Sequence, residues 1–273
     1  MNLKEALDGK IPQKDAKYIY RAFEIIGDIA IIQVPKEIEQ HKMLMAETLC
    51  TLHKNIKVVI RKIDEVSGKY RVGKYEILIG DRTDTIYKEN GIRLKADPTK
   101  AYFSSRMSTE RERMTAQVQD GEKIICMFAG IGPYPINIAK VKDVEIKAVE
   151  INPEATKLFA ESLKLNRLKG KIEIFTGDVG EMVPNFSENF DRILMPAPKD
   201  APEFLEIALQ KVKKGGIINY YAFVPQEDFA DLESDVKNKC EKLGKKVKIL
   251  AKRNCGNIGI CQFRAAVDIQ VLD

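Results

Sequence analysis

The hydrophobic positions along the chain fall into two textures that meet near Asp97-Pro98. Ahead of that point short runs dominate: DIAIIQV (Asp28–Val34), IKVVIRKI (Ile56–Ile63), YRVGKYEILIG (Tyr70–Gly80) and DTIYKENGIRLKAD (Asp84–Asp97). These short runs, rich in β-branched and aromatic residues, read as strands. Asn90-Gly91 lies between TIYKE and IRLKA, a two-residue hairpin signal because both positions must tolerate positive φ. Lys36–Lys54 places Ile38, Met43, Met45, Leu49 and Leu52 at helical spacing and is expected to cross the small sheet. Residues 1–98 are therefore expected to form a small α+β domain.

From Tyr102 onward strands and helices alternate. Ser108–Gln119 is expected as a helix, with Thr109 and Glu112 placed as a capping box. Continuous apolar strands are expected at Lys123–Phe128, Glu145–Glu150, Lys171–Thr176, Phe190–Met195 and Gly216–Phe223. Helices are expected at Ile136–Lys140, Pro153–Leu168, Pro202–Lys213 and Glu227–Leu243. Two closing strands, Lys245–Arg253 and Cys261–Val271, are expected as an antiparallel edge. Such alternation means a parallel sheet covered on both faces, filling residues 99–273.

The 273 residues are 44% hydrophobic and 31% charged, which excludes disordered and fibrous classes. No apolar run approaches the length of a membrane helix, and the charged opening MNLKEALDGK lacks a signal-peptide core, so a cytoplasmic protein without membrane partners is expected. The net charge of +5 permits an anionic partner without requiring one. Five dispersed Cys and two His, with no close CxxC pair, argue against a disulfide framework and a metal site. Nothing in the sequence specifies an oligomer, and a monomer is the expectation.

The chemistry concentrates at three strand ends. Gly130-x-Gly132 in IICMFAGIGPYPI follows a buried strand and opens a helix, where small residues admit a ligand close to free N–H groups. Glu150 ends the second strand, some twenty residues on, where a carboxylate can accept both ribose hydroxyls of a nucleoside cofactor. Asp178 ends the third, within reach of an adenine amine. A nicotinamide cofactor and S-adenosylmethionine both suit that ribose acceptor. The Pro133 and Pro135 that replace a third glycine disfavour a pyrophosphate.

MFAGIGP, AVEINP, GDV and LMPAPKDAPEFL, preceded by YFSSRMSTER, resemble the archaeal and eukaryotic tRNA guanine-N1 methyltransferases that act at position 37, beside the anticodon. A close relative on the same scaffold attaches an aminocarboxypropyl group in wyosine synthesis. The resemblance implies a class I, Rossmann-like methyltransferase domain with S-adenosylmethionine held by Phe128, Ala129, Gly130, Gly132, Glu150, Ile151, Asp178, Val179 and Pro196. It implies a tRNA anticodon stem-loop as partner, docked on the small domain. Methylating N1 needs a base for the N1 proton and a cation for the charge that grows on O6. Glu110, at a helix start just before the glycine strand, is the expected base, and Arg71 the expected cation. Tyr102 is expected to stack on the target guanine and Arg106 to hold phosphate or Glu110, with Arg111 and Pro198 completing the substrate side.

The sequence departs from that family at three points. Cys126 stands where the first strand usually ends in Asp. Pro196-Ala197-Pro198 replaces an Asn-x-Pro turn, which keeps aminocarboxypropyl transfer or methylation of a wyosine intermediate as the rival activity. The family's small domain that contacts the tRNA elbow is expected to be missing, the chain opening in the next domain. A catalytically weak RNA-binding module is the rival of another class. The cations of the first domain, from Lys54 to Lys100, form a phosphate track only if they share one face.

Overall fold

The computed structural model of the chain describes residues 2–64, 70, 72–197, 199, 201–259 and 261–273. The chain divides into two compact units, Met1–Arg106 and Met107–Asp273. Among the described residues, no helix is long and apolar enough to cross a membrane.

The first unit carries a four-stranded sheet in the order β1 (Glu24–Ile26), β2 (Ile29–Gln33), β3 (Val58–Lys62) and β4 (Tyr75–Ile79). β2 and β3 run parallel, so the chain must cross the sheet between them. It does so through α3 (Lys42–Leu52), preceded by a 3-10 turn at Lys36–His41. α1 (Leu3–Ala6) and α2 (Gln13–Ala16) stand at the N-terminal end, and the core joins Leu3, Leu7, Ile32, Ile38, Met45 and Leu49. The Asn90-Gly91 hairpin forms as expected between β5 (Thr85–Glu89) and β6 (Ile92–Ala96), with φ of 43° and 75° at its two turn residues. The segment 99–106 packs with this unit: Ala101 and Phe103 are buried, and the Phe103 ring meets Tyr87 edge-on at 5.0 Å.

The second unit is built on a seven-stranded sheet. Its strands are β7 (Lys123–Met127), β8 (Glu145–Glu150), β9 (Lys171–Thr176), β10 (Phe190–Met195), β11 (Val212–Pro225), β12 (Val247–Gly259) and β13 (Gln262–Val271). They lie in the order β12-β13-β11-β10-β7-β8-β9. β9, β8, β7, β10 and β11 are mutually parallel, and β13 and β12 close the edge antiparallel. Sequence order reverses between β7 and β10, so the crevice beyond their carboxyl ends is the switch point where such sheets bind ligands. The helices are α4 (Ser108–Gln117), α5 (Pro133–Val141), α6 (Pro153–Lys164), α7 (Val179–Met182), α8 (Leu205–Lys211) and α9 (Leu232–Lys242).

α4 differs from its sequence expectation at its start. It follows directly on a 3-10 turn, Ser105–Met107, and its cap residue Met107 makes no side-chain bond. The Thr109–Glu112 capping box is absent because the turn leaves no extended cap residue from which a hydroxyl could reach back.

The helix is instead tied to the sheet by a ladder of buried polar groups. Arg113 donates to both oxygens of Glu110 at 2.7 and 2.8 Å, and to Asp268 on β13 at 2.6 and 3.2 Å. Asp268 also accepts from Gln117 at 2.8 Å and from Asn219 on β11 at 2.7 Å. Asn219 Oδ1 accepts from Arg192 on β10 at 3.1 Å, and Arg192 forks onto Glu122 at 2.7 and 3.0 Å. Burial pushes the Asp268 carboxyl up, but the bonds from Arg113, Gln117 and Asn219 outweigh it and hold its pKa below the ordinary 3.8. A carboxyl lowered in the folded state contributes its full stabilisation above its unfolded pKa and loses it as pH falls through the folded one. Stability of the second unit is therefore expected to drop below pH 3.8. Asp268→Ala strands Arg113 and Asn219 and is expected to cost about 3–5 kcal/mol in urea unfolding; a loss under 1 kcal/mol would remove the ladder's structural role.

Candidate active site

The loop after β7 brings the backbone close to the crevice by left-handed turns at Phe128 (φ 58°), Gly130 (φ 57°) and Gly132 (φ 82°). A Cβ on Gly132 would lie 2.1 Å from Phe159 Cε2, so this position admits only glycine. Gly132 caps α5 and Pro133 occupies its first turn, a position where a missing N–H costs nothing. Phe128 is held in its strained conformation beside Phe204, the rings edge-on at 5.2 Å.

Glu150 closes this loop from the end of β8. Gly130 N–H donates to its Oε2 at 2.7 Å and Asn152 N–H to its Oε1 at 2.8 Å. A carboxylate offers about four acceptor positions, so a vicinal diol can still be accepted by both oxygens. That donor and acceptor set fits the ribose of a nucleoside cofactor. Burial raises the Glu150 pKa above 4.5, against the backbone N–H groups of Asn152, Gly130 and Ile151. Ile151 follows half-buried, and Asn152 caps α6 by accepting from Glu154 N–H at 3.0 Å. Asp178 caps α7, its Oδ1 accepting from Gly180 N–H at 2.8 Å, with Val179 buried behind it. Ala129 is buried, its N–H donating to Val149 O at 2.9 Å, and Pro196 follows β10 half-buried. The three strand-end motifs thus meet along one edge of one sheet.

Cys126, which the resemblance sets where an Asp is usual, is fully buried, and burial together with Glu150 pushes its thiol pKa up. It stays neutral and supplies no charge in place of a carboxylate.

Glu110 sits on α4 with only 8% of its surface exposed. Besides the Arg113 fork, its Oε1 accepts from Tyr221 Oη at 2.7 Å. Burial, with Tyr134 and Glu110 beside it, raises the Tyr221 pKa far above 10 and keeps it a neutral donor. The Tyr134 ring stands 6.2 Å from Tyr221, and buried Arg111 lies 5.8 Å from the Tyr134 centroid. Burial, with Glu110 nearby, pushes the Cys255 thiol pKa up to about 12. The expected base is thus a carboxylate held in a fixed orientation by a cation and a phenol.

Tyr102 and Arg106 belong to the first unit, where both are exposed and line one cavity. Arg71 and Pro198 lie outside the described residues. The basic track of the first unit is interrupted by ion pairs: Arg61 with Glu39 and Glu76, Lys74 with Asp64, Arg82 with Asp28, Lys95 with Asp84 and Lys100 with Asp97. Arg113, Asp268 and Tyr221 were not singled out from sequence. A lone charge inside the apolar run AAVDIQV was the signal that could have found Asp268; Tyr221, one aromatic among apolar neighbours, gave none.

Residues 85–250 match the TRM5/TYW2 methyltransferase domain, and residues 3–83 match the TYW2 N-terminal domain. The chain belongs to the TRM5/TYW2 methyltransferase family. It is 38% identical over 263 residues to the tRNA (guanine(37)-N(1))-methyltransferase Trm5b of Pyrococcus abyssi, covering 96% of this chain and 78% of that one. Its fold is similar to the solved complex of aTrm5 with tRNALeu, with a TM-score of 0.85 and 32% identity over 100% of this chain and 78% of the other. It is also similar to TYW2 of Pyrococcus horikoshii in complex with MeSAdo, with a TM-score of 0.81 and 28% identity over 99% and 98% of the two chains. The class I methyltransferase fold preceded by a small α+β domain, expected from sequence, is the fold of this family.

Because the ribose diol needs an ionised acceptor, S-adenosylmethionine affinity is expected to fall on acidification, beginning above pH 4.5 as Glu150 takes up its proton. Glu150→Gln is expected to weaken that affinity about 10–100-fold and to flatten its pH dependence. A wild-type affinity in isothermal titration would remove Glu150 from the site.

Proposed function

We propose that this chain is an S-adenosylmethionine-dependent tRNA (guanine-N1)-methyltransferase acting on guanosine 37 in the anticodon stem-loop. The observation that carries the reading is Glu110: a buried carboxylate held by Arg113 and Tyr221 in the unit that also carries the Glu150 ribose acceptor. The cofactor supplies an electrophilic methyl group on a sulfonium. Glu150 holds its ribose and Asp178 its adenine, with the turns at Phe128, Gly130 and Gly132 setting the backbone around it.

Guanine N1 is a poor nucleophile while protonated. Glu110 takes the N1 proton, the freed N1 electron pair forms the new bond to carbon, and the carbon–sulfur pair remains on sulfur. Negative charge that spreads to O6 needs a nearby cation, the role the family resemblance gives Arg71. Fixing Glu110 in advance reduces the reorganisation needed at the moment of transfer. Tyr102, Arg106, Arg111 and Pro198 complete the RNA side of this reading. A monomer acting in the cytoplasm is part of this reading.

Aminocarboxypropyl transfer on a wyosine precursor is the second reading. It is favoured by the TYW2-type match of residues 3–83 and by Pro196-Ala197 where an amide-bearing turn is usual. Incubation with labelled S-adenosylmethionine and guanosine-37 tRNA, followed by nucleoside mass analysis, separates the two. A single added methyl on N1 supports the proposal; the larger adduct supports the alternative. Failure to bind S-adenosylmethionine would leave only an RNA-binding module. Glu110→Gln is expected to bind S-adenosylmethionine normally and to slow single-turnover transfer about 10²–10⁴-fold; near-wild-type turnover would reject Glu110 as the base.

A further inference from the structure

The carboxyl end of the ribbon formed by β11, β13 and β12 carries two arginines that the chemistry derived above does not use. β10 ends at Met195, level with Tyr220. Tyr221–Pro225 of β11 runs on beyond it, paired with Gln262–Ala266 of β13. Tyr221 lies opposite Ala266, and Ala266 opposite Arg253 on β12. Two residues further along β11, Phe223 lies opposite Arg264. Directly paired residues, and residues two apart on one strand, share a face. Arg253 and Arg264 therefore stand on the face from which Tyr221 donates to Glu110, toward the edge where a sheet of this topology binds ligands.

Neither arginine is neutralised by its own strands. Asp268, the one carboxylate on the three of them, is taken by Arg113, which also holds Glu110. The acidic turn Glu227-Asp228 belongs to the opposite face, where Phe229 meets Phe263 at 5.8 Å and its carbonyl oxygen accepts from Lys252. Arg253 is exposed. Arg264 is half-buried, its guanidinium carbon 5.8 Å from the Phe223 centroid, and its Nε has no hydrogen-bond partner among the described residues. A guanidinium laid against an aromatic ring is held in orientation while its outer N–H groups stay free to donate.

On this face Arg113, Arg253 and Arg264 outnumber Glu110 and Asp268, so its free end is positive and selects an anion. Planar, forked donors suit an anion with several oxygens, as a phosphate has. Arg264 starts one two-residue step, about 7 Å, further along the sheet than Tyr221. A base edge at Glu110 and an anion at Arg264 are therefore separate parts of one ligand. On an RNA chain the anion next to a base is the phosphate of its own or the adjoining nucleotide.

We propose that Arg253 and Arg264 grip the RNA phosphates flanking the nucleotide presented to Glu110, so that the C-terminal ribbon holds the backbone while the crevice holds the base. These contacts position the RNA and carry no sequence information of their own. The proposal rests on the tRNA-methylating reading for the identity of that nucleotide; the phosphate contact itself requires no transfer.

The test is titration of the full chain with a fluorescent anticodon stem-loop RNA across a salt series, with melting temperature reporting the fold. Arg253→Ala and Arg264→Ala are each expected to weaken RNA binding about tenfold and to lower the slope of log affinity against log salt by about 0.7–0.9. Arg253→Lys, which keeps the charge, is expected to restore the slope. Wild-type affinity and slope in both alanine variants overturn the proposal, as does lost affinity at an unchanged slope, which marks a packing role. Two other results also overturn it. One is weakened S-adenosylmethionine binding with RNA affinity intact, which gives the arginines to the cofactor's carboxylate. The other is slower single-turnover transfer at saturating RNA with affinity intact, which gives them to the reacting base. Should Arg264→Ala melt early, Arg264→Lys and the exposed Arg253→Ala carry the test. RNA affinity that depends on both arginines without methyl transfer would sink the proposed function and leave this contact standing; methyl transfer by variants that bind RNA as the wild type does would do the reverse.

Discussion

The second unit depends on the guanidinium of Arg113, shared between Glu110 on its own helix and Asp268 on the penultimate strand of the sheet order. A fork of this kind fixes both distance and plane, which a point charge on a flexible stem does not. It joins α4, which follows the first unit in sequence, to the C-terminal strand β13. The carboxylate assigned to proton transfer is thereby held by residues separated by more than half the chain. Asn219, Arg192 and Glu122 extend the same chain of bonds across β11 and β10. A half-satisfied network of this burial would be costlier than an apolar core, so each member constrains the others.

The cofactor side follows a different logic. There the groups are mostly backbone: left-handed turns after β7 and the N–H groups of Gly130 and Asn152 that orient Glu150. Glu150 and Asp178, the two carboxylates the proposal gives to ribose and adenine, also organise local structure. Two departures that the resemblance marks, Cys126 and the turn that opens at Pro196, fall on this edge. A neutral, buried Cys126 removes a charge near the loop without disturbing the strand, since its small apolar thiol packs as a core residue.

Much of this was legible in the sequence, and the reason is local. β8, β9 and β10 carry short runs rich in apolar and β-branched residues, so their limits, Glu145–Glu150, Lys171–Thr176 and Phe190–Met195, match the expectation residue for residue. The Asn90-Gly91 hairpin was equally plain because positive φ restricts residue choice. What was hidden was long-range. Thr109 and Glu112 satisfy the capping pattern, yet the preceding 3-10 turn decided the helix start. The end of β11 runs on to Pro225 because its partner β13 continues pairing there, which no local pattern in β11 reveals. Arg113 and Tyr221 are ordinary helix and strand residues until the fold sets them beside Glu110. Several cations of the first unit, which the sequence makes a phosphate track only if they share one face, are occupied by carboxylates on neighbouring elements.

The central claim is that the geometry of the Arg113 fork, beyond its charge, prepares Glu110 for proton removal. Arg113→Lys keeps the charge and loses the paired bonds. Single-turnover methyl transfer at saturating S-adenosylmethionine and RNA, measured beside cofactor affinity and melting temperature, isolates that difference. The account predicts a transfer rate at least about tenfold lower in the variant, with cofactor affinity near wild type. A variant that transfers methyl at the wild-type rate would contradict it.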